Sequence, residues 1–250
     1  MDLRLRDRVV LVTGASGDIG ATIATTFARE GARVAVGWHS RPERAERVLG
    51  EITGLGAKGC TVRLDQGDPG SIERAVGTVR DVLGPVDVLV ANAVVWPYVQ
   101  DWDAVVRGLT ANVAGTLALA DRVAADMRTT GWGRIVLVSS DVVDQPIPFA
   151  AGYPAAKAAL EAAARVLAVR EAPHGVLTTV VRPGFTLTER ALTAPGLGQE
   201  AVDAEAAKTP TGRICTPQDV ANAVVYLGSD ANGHINGEVV SVSGGRHLTR

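Results

Sequence analysis

Seven short runs rich in β-branched residues alternate with longer, alanine-rich segments, and this alternation constrains the fold more than any other feature of the sequence. The runs are RVVLVT, ARVAVGW, KGCTVRLD, VDVLVAN, RIVLVSS, VLTTVVRPG and EVVSVSGG. Nearly continuous apolar runs are typical of strands buried on both faces of a parallel sheet, with helical crossovers between them. The sequence therefore predicts a single α/β domain over residues 1–250, with a doubly wound, seven-stranded parallel sheet and helices on both faces.

The composition indicates a globular protein with a sizeable core. Of the 250 residues, 46% are hydrophobic and 21% are charged, which is typical of globular rather than disordered chains. The formal net charge is -2, and acidic and basic residues are mixed along the whole chain. No nucleic-acid partner and no anionic membrane surface is therefore expected.

The sequence also predicts a cytoplasmic protein without a metal site. Its first residues, MDLRLRDRVVLVTG, carry charges beside a short apolar run, and no apolar run approaches the roughly 18 residues of a membrane span. Cys60 and Cys215 lie far apart and outside any CxxC spacing. Buried free thiols are therefore expected rather than a disulfide or a metal centre. The polar, weakly periodic segment 188–210 is expected to form a helical lid.

Three glycines lie where the first strand passes into the first helix. Gly14, Gly17 and Gly20 stand in TGASGDIG, and a helix N-terminus offers free N–H groups and partial positive charge to a pyrophosphate. This context predicts a dinucleotide site, although a tight turn without a ligand has the same glycine spacing. Asp18 is unexpected beside a phosphate, and we interpret it as a first-turn residue whose carboxylate accepts helix N–H groups.

The end of the second strand indicates which dinucleotide is bound. Trp38 stands where an acid would bind the ribose hydroxyls of NAD, and His39, Ser40 and Arg41 follow it. A hydroxyl and a guanidinium suit the 2′-phosphate of NADPH. The alternatives are a solvated charge for Arg41 and a surface imidazole for His39. After the third strand, Asp65 could accept a hydrogen bond from the adenine amino group or cap a turn.

A serine, a tyrosine and a lysine follow the fifth strand. Tyr153 and Lys157 are four positions apart, so on a helix they share a face, and the ammonium is expected to lower the pKa of the phenol from about 10. Ser140 ends the strand and Tyr153 opens the next helix, so both are expected in the crevice at the carboxyl ends of the strands.

These motifs together resemble the classical short-chain dehydrogenase/reductase family, which has a Rossmann-type fold, and within it the 3-oxoacyl-carrier-protein reductases and actinomycete-type polyketide ketoreductases. The matching stretches are TGASGDIG, ANA, TANVAGTLAL, VSS, YPAAK, RPGFTLT and the closing GRICTPQDVANAVVYLGSDANGHINGEVVSVSGG. The resemblance covers the whole chain. It implies an NADPH-dependent oxidoreductase that assembles as a homotetramer, with the Tyr153 helix and the C-terminal strand as contacts.

The resemblance implies a role for each matching residue. Tyr153 would protonate the carbonyl oxygen, Lys157 would hold the nicotinamide ribose, and Ser140 would hydrogen-bond the substrate. Asn112 would position a water that resupplies protons, although it could instead cap or kink its helix, and Ser139 could face the crevice in place of Ser140. The residues expected to bind the cofactor are Gly14, Ser16, Gly17, Asp18, Ile19, Gly20, His39, Ser40, Arg41, Asp65, Gln66, Asn92, Ala93, Tyr153, Lys157, Pro183, Gly184, Thr186 and Thr188.

The chain departs from the family pattern at the substrate side. Besides Asp18, the motif ANAV replaces NNAG, and the stretch that follows it contains Trp96, Tyr98 and Trp102. These aromatic residues could line the pocket for a flat substrate, or pack at a subunit interface or over the core.

The sequence therefore predicts a ketoreductase that transfers hydride from NADPH to a β-ketoacyl or polyketide ketone. One alternative is a tailoring reductase of a polycyclic aromatic, angucycline-type polyketide. An alternative of another class is a catalytically silent nucleotide sensor or scaffold.

Overall fold

One parallel sheet organises the chain. The computed structural model describes residues 1–96, 101–145, 151–194 and 196–249, and within them seven strands pair in the order β3-β2-β1-β4-β5-β6-β7. All of the pairings are parallel. This confirms the predicted fold class. The strands are β1 (Val9–Val12), β2 (Arg33–Trp38), β3 (Gly59–Arg63), β4 (Val88–Ala91), β5 (Gly133–Val138), β6 (Val176–Pro183) and β7 (Val239–Val242).

Helices connect the strands and cover both faces of the sheet. They are α1 (Asp18–Arg29), α2 (Pro42–Gly54), α3 (Pro69–Val82), α4 (Trp102–Leu109), α5 (Thr116–Thr130), α6 (Gly152–Glu171), α7 (Glu189–Thr193), α8 (Gln199–Lys208) and α9 (Pro217–Leu227). A π-helical turn, Thr110–Gly115, joins α4 to α5. The expected lid segment contains α7 and α8, so its predicted helical character is confirmed.

The core consists of two layers, one on each face of the sheet. Residues of α1, α2 and α9 pack on one face, and residues of α3, α5 and α6 pack on the other. In α1, Ile23 and Phe27 are fully buried, and Ile19 packs against the same layer. Their four-residue spacing places them on one face of the helix. Burial of the apolar face thus holds the first turn of α1 against the end of β1.

The strand order defines where a site can form. Strand β1 has β2 on one side and β4 on the other, so the chain leaves β1 toward one half of the sheet and later returns to the other half. Open sheets of this kind leave a crevice at the carboxyl ends of the strands beside such a reversal. The glycine turn follows β1, the ANAV motif follows β4, and Ser140 follows β5, so all three lie at this edge.

Two predictions outside the site can also be compared with the structure. Cys60 and Cys215 are free, the first partly buried and the second buried, and burial raises the pKa of each thiol to about 11. In the part of the chain that the structure describes, no helix combines the length and hydropathy needed to cross a bilayer.

Candidate functional site

The glycine turn is packed tightly against the motif that follows β4. Gly14 has a φ of +64°, and a Cβ built on it would lie 2.8 Å from the Cα of Ala93. A Cβ on Gly20 would lie 2.4 Å from the carbonyl oxygen of Gly14. A side chain at either position is therefore excluded by backbone. Gly17 differs, because its built Cβ has only ordinary contact, 3.6 Å from the Gly14 oxygen.

Asn92 braces this turn from the neighbouring strand. Its amide nitrogen Nδ2 donates to the carbonyl oxygen of Thr13 at 3.0 Å and approaches that of Gly14 at 3.4 Å. In return, the Thr13 hydroxyl accepts hydrogen bonds from the backbone N–H groups of Asn92 and Ala93. The side chain of Asn92, predicted to bind cofactor, thus acts on the turn, while Ala93 contributes the backbone that Gly14 approaches.

The first turn of α1 fits an anionic ligand. Gly17 is the N-cap residue, and among the described residues no side chain caps the helix. The first N–H groups of a helix have no intrahelical acceptor, so those of α1 are available to a pyrophosphate together with the positive end of the helix dipole. The residues present therefore fit a dinucleotide, with Ser16 and Ile19 flanking the cap.

The Asp18 carboxylate does not accept N–H groups of its own helix, as its position in the first turn had suggested. Asp18 is the first residue of α1, as expected, but its carboxylate does not cap the helix. Instead, its Oδ2 atom accepts a hydrogen bond from the backbone N–H of Glu189, the first residue of α7. Arg44 of α2 pairs with the Glu189 carboxylate at 2.9 Å. The acid in the glycine turn is therefore bonded to α7, within the segment expected to form a lid, and the interpretation of Asp18 as a helix cap is wrong.

The end of β2 presents basic and polar groups to solvent. Ser40 and Arg41 are exposed, Arg41 is the N-cap residue of α2, and its side chain has no ion pair within the described residues. The exposed His39 imidazole lies 3.5 Å from an Asp65 carboxylate oxygen. The other Asp65 oxygen accepts from the Gly67 N–H at 2.8 Å, so one half of this carboxylate caps a turn, as one of the two alternatives predicted.

Gln66 is directed inward. Its side chain is 8% exposed, and its Nε2 atom donates to the Thr116 hydroxyl at 2.7 Å and to the Ala111 carbonyl oxygen at 3.2 Å. Its buried Oε1 atom has no partner among the described residues. The Gln66 amide nitrogen is therefore used within the protein, and contact of this residue with the cofactor stays a prediction.

Tyr153 and Ser140 meet at the carboxyl end of β5. Tyr153 lies in the first turn of α6 and is 9% exposed. Burial raises the pKa of its phenol, the nearby charge of Asp141 adds to this, and a hydrogen bond with the Ser140 hydroxyl acts in the opposite direction. Ser139 is buried instead, and its hydroxyl donates to Glu161 at 2.6 Å. Ser140, rather than Ser139, is therefore the serine that lies beside the Tyr153 phenol.

Lys157 lies beneath the phenol and is turned toward the sheet. Its Nζ atom is fully buried and donates to the carbonyl oxygen of Val138 at 2.7 Å. It lies 5.7 Å from the centre of the Tyr153 ring. Desolvation lowers the pKa of Lys157 to about 8, although the charge of Glu161 opposes this shift. The expectation that this ammonium lowers the phenol pKa is wrong for this structure, because burial dominates the pKa of both groups.

This burial predicts a pH-dependent stability. Between pH 8 and 10.5 the unfolded chain holds the Lys157 proton more tightly than the folded chain, so stability should rise with pH there. We expect wild type to gain up to about 1.4 kcal/mol per pH unit relative to Lys157→Met in this range. Urea unfolding at several pH values measures the difference. The exposed Lys58→Met is the control, and a Lys157→Met difference that does not vary with pH would contradict the prediction.

Asn112 occupies the π-helical turn and is 3% exposed. Its Oδ1 atom accepts from the Val95 N–H at 2.7 Å, and its Nδ2 atom donates to the Val95 carbonyl at 2.8 Å. Such π-helical insertions are frequent at functional sites. Each amide atom thus makes one hydrogen bond to Val95, which leaves one further donor and one further acceptor on the side chain, and the predicted proton relay stays a prediction.

The chain after β6 closes the far side of the crevice. Pro183 ends the strand, and a Cβ on Gly184 would lie 2.9 Å from the Ser243 side chain. The Thr186 hydroxyl donates to the Gly184 carbonyl oxygen at 2.8 Å, and Thr188 is the N-cap residue of α7. These contacts shape the backbone, and contact of the two threonines with a cofactor stays a prediction.

Of the aromatic residues expected near the substrate, Trp96 and Trp102 are described by the structure, and Trp96 contacts the site. The Trp96 ring lies 4.3 Å from the Tyr153 ring, centre to centre, at an angle of 49°. Trp102 starts α4 and is 80% exposed, and Tyr98 lies outside the described residues. Between these two described tryptophans, Trp96 is the one that fits the predicted aromatic lining.

Sequence reasoning did not single out Asp141, Glu189 or Arg190. Asp141 follows Ser140 and lies 3.4 Å from its hydroxyl, and burial raises the pKa of the Asp141 carboxyl. The Arg190 guanidinium carbon lies 3.7 Å from the centre of the Trp96 ring. The signal that could have found them is that charged residues directly follow Ser140 and Thr188 in the sequence.

Comparison with known proteins agrees with this architecture. A family model described as Enoyl-(Acyl carrier protein) reductase matches residues 14–247. The 3-oxoacyl-[acyl-carrier-protein] reductase FabG of Escherichia coli is 32% identical over 98% of this chain and 100% of its own length. The chain belongs to the short-chain dehydrogenase/reductase family. It is therefore an oxidoreductase of a family that acts on small molecules with a nicotinamide dinucleotide.

Two further similarities bear on the activity of this short-chain dehydrogenase/reductase. An uncharacterized oxidoreductase of Methylorubrum extorquens is 36% identical over 97% of this chain and 98% of its own length. The solved structure of LugOII, described as a promiscuous reductase that catalyses keto-reduction at C1 during lugdunomycin biosynthesis, superposes with a TM-score of 0.86. It is 28% identical over 98% of this chain and 100% of that chain.

Proposed function

We propose that this short-chain dehydrogenase/reductase is an NADPH-dependent ketoreductase that acts on a β-ketoacyl or polyketide ketone in the cytoplasm. The observation that carries the proposal is the convergence of Tyr153 and Ser140 at the crevice, with the buried Lys157 beneath them. The similarity to a 3-oxoacyl-[acyl-carrier-protein] reductase and to a keto-reducing enzyme supports the choice of ketones as substrates.

The chemistry of these residues suits reduction. When bound, the nicotinamide dinucleotide supplies a hydride to the carbonyl carbon. A tyrosine phenol is protonated at neutral pH because its ordinary pKa is about 10, so Tyr153 can donate a proton to the carbonyl oxygen as negative charge develops there. The Ser140 hydroxyl offers a second donor for the same oxygen. Lys157, held by Val138, provides a positive charge below the phenol.

A substrate panel tests the proposal directly. The protein is mixed with NADPH and acyl-thioester, decalone-type and polycyclic aromatic ketones, and NADPH oxidation is followed by absorbance. A reductase oxidises NADPH with at least one class of ketone. A silent nucleotide sensor binds NADPH and oxidises none, which would refute the proposed function. The contact of Ser140 with the phenol argues against the sensor.

The preference for NADPH rests on Arg41 and Ser40 at the end of β2. We expect Arg41→Ala to weaken NADPH binding about 10- to 100-fold by removing a charge-assisted contact to the 2′-phosphate, and to leave NADH binding unchanged. Fluorescence titration with each cofactor measures both affinities. Arg47→Ala, at an exposed position of the same helix, is the control. Equal weakening of NADH and NADPH binding would remove the 2′-phosphate argument.

One observation favours the second candidate, reduction of a polycyclic aromatic polyketide: Trp96 lies against the phenol. The same substrate panel decides between the two by comparing kcat/KM for the acyl thioester and the polycyclic ketone.

The homotetramer is likewise proposed. It is supported by Val166 and Val169 of α6, which are 64% and 77% exposed and leave apolar surface on the helix expected to form a subunit contact. Sedimentation velocity measures the assembly state, and a monomer at micromolar concentration would refute the tetramer.

A further inference from the structure

Three consecutive residues at the end of β5 each pair with a side chain of α6. The pairs are Val138 with Lys157, Ser139 with Glu161, and Ser140 with Tyr153. The three partners on α6 are four positions apart in sequence, so they lie along one face of the helix. Glu161 is the member of this row that the proposed reaction does not yet use.

The Glu161 carboxylate is fixed in one orientation by Arg182 of β6. Its Oε1 atom accepts hydrogen bonds from the Ser139 hydroxyl at 2.6 Å and from Arg182 Nε at 3.0 Å, and its Oε2 atom accepts from Arg182 Nη2 at 2.5 Å. The remaining terminal nitrogen of Arg182 pairs with Asp144, which ends the turn after Ser140. Because the guanidinium binds both oxygens, the carboxylate cannot rotate away from Ser139 without losing a charged hydrogen bond.

Stability alone is a weak reason for this ion pair to be buried. The side chains of Glu161 and Arg182 are 5% and 11% exposed, and the cost of desolvating two such charges often equals or exceeds their mutual attraction. What a buried pair can supply is a single, specified geometry. This pair stands one residue from Ser140 and one helical turn from Lys157, so the geometry that it specifies is that of the catalytic groups.

Glu161 also supplies the negative charge nearest in effect to Lys157. Within the described residues, the charged or titratable side chains that act on this row or pair with it are Tyr153, Asp141, Asp144, Arg182 and Arg190 besides Glu161 and Lys157 themselves. Of these, Glu161 is the one whose charge shifts the pKa of Lys157, and it raises this pKa against the larger, opposite effect of burial. Glu161 therefore keeps the ammonium charged to a higher pH than burial alone would allow.

We propose, on the basis of the proposed function, that Glu161 is a positioning residue of the reduction. Through Ser139 it fixes the end of β5, where Ser140 meets the phenol, and through its charge it balances the ammonium of Lys157. Arg182 in turn fixes the orientation of Glu161. Glu161 thus acts on the reaction through its neighbours, without contact with the substrate.

Ser139→Ala tests the link from Glu161 to β5 and leaves the ion pair with Arg182 in place. We expect kcat for the ketone that wild type reduces best to fall roughly 10-fold, since a displacement of about 1 Å can cost about 100-fold in rate. The Kd for NADPH should not change. Ser139→Thr keeps the hydroxyl and should recover most of the lost kcat. Steady-state kinetics and fluorescence titration measure the two quantities.

Glu161→Gln tests the charge through the pH profile of kcat. Without the carboxylate, Lys157 should lose its proton at lower pH, so the basic limb of the profile should move down by about 1 pH unit. A purely structural role predicts the opposite sign. Loosened packing would admit water and relieve the desolvation of Lys157, which would move the limb up toward the ordinary lysine pKa of 10.5.

Glu171→Gln is the matched control on the same helix. The Glu171 side chain is 0% exposed and pairs with Arg128 and Arg170, and it has no assigned part in the reaction. We expect this variant to lose stability in urea unfolding to an extent comparable with Glu161→Gln, while its kcat and pH profile stay those of wild type.

The inference is overturned if Ser139→Ala keeps the wild-type kcat, or if the basic limb of Glu161→Gln stays in place or moves up. If Glu161→Gln fails to fold, Ser139→Ala and its Ser139→Thr rescue decide alone. Any of these results leaves the proposed function standing as long as wild type reduces a ketone. Absence of NADPH oxidation with every ketone would overturn both.

Discussion

Tyr153→Phe is expected to lower kcat for ketone reduction about 100- to 10,000-fold, the contribution of a well-placed general acid. The change removes one hydroxyl from a ring that is packed against Trp96 and is 9% exposed. The apolar packing is retained, so the variant should fold and should bind NADPH with the wild-type Kd. Steady-state kinetics and cofactor titration measure the two quantities separately.

Tyr226→Phe provides the matched control. Tyr226 lies on α9 and is partly buried, and its hydroxyl has no assigned part in the reaction. The control should keep the wild-type kcat. A Tyr153→Phe variant that turns over at the wild-type rate would refute the assignment of the phenol as proton donor, and loss of NADPH binding would show that the ring acts on the cofactor instead.

Gly20→Ala is expected to have the second largest effect, on stability as well as on cofactor binding. Its added Cβ would lie 2.4 Å from the Gly14 carbonyl oxygen and 2.9 Å from the Cα of Ala15, and neither backbone atom can rotate away. Overpacking of this kind costs about 1–3 kcal/mol. The turn must shift to relieve it, and NADPH affinity should fall with that shift.

Gly17→Ala separates crowding from the general cost of replacing glycine. Its added Cβ has only ordinary contact with the Gly14 oxygen, and its φ of -100° suits alanine. The expected loss is below about 1 kcal/mol, the range for a glycine N-cap. Urea unfolding of the cofactor-free proteins measures both changes. If the two variants are equally stable, the close approach of Gly20 to Gly14 is not a constraint on the fold.

The sheet and its helices could be predicted from the sequence because burial on both faces imposes a pattern on consecutive residues. The α1 spacing of Ile23 and Phe27 is an example, since a local period records which side of the helix is buried. The meeting of Ser140 with Tyr153 was also predictable, because parallel strands bring their carboxyl ends to one edge.

The hydrogen-bond partners of side chains that are distant in the sequence could not be predicted in this way. Asp18 bonds to a residue of the lid, and Gln66 turns inward to Thr116. No local period encodes either pairing. The predicted lowering of the Tyr153 pKa was wrong for a related reason. Spacing places Tyr153 and Lys157 on one helix face, but the depth of that face, which decides the desolvation of the phenol, depends on every element packed above it.

The bond from Asp18 to the N–H of Glu189 links the glycine turn directly to α7. One carboxylate is covalently part of the cofactor turn and holds the backbone of the segment that carries Arg190. A bound dinucleotide that strengthens this bond would in turn bind more tightly when the bond is formed. The two effects are equal in free energy. Asp18, which was unexpected beside a phosphate, would therefore couple the binding of a dinucleotide at the glycine turn to the position of α7.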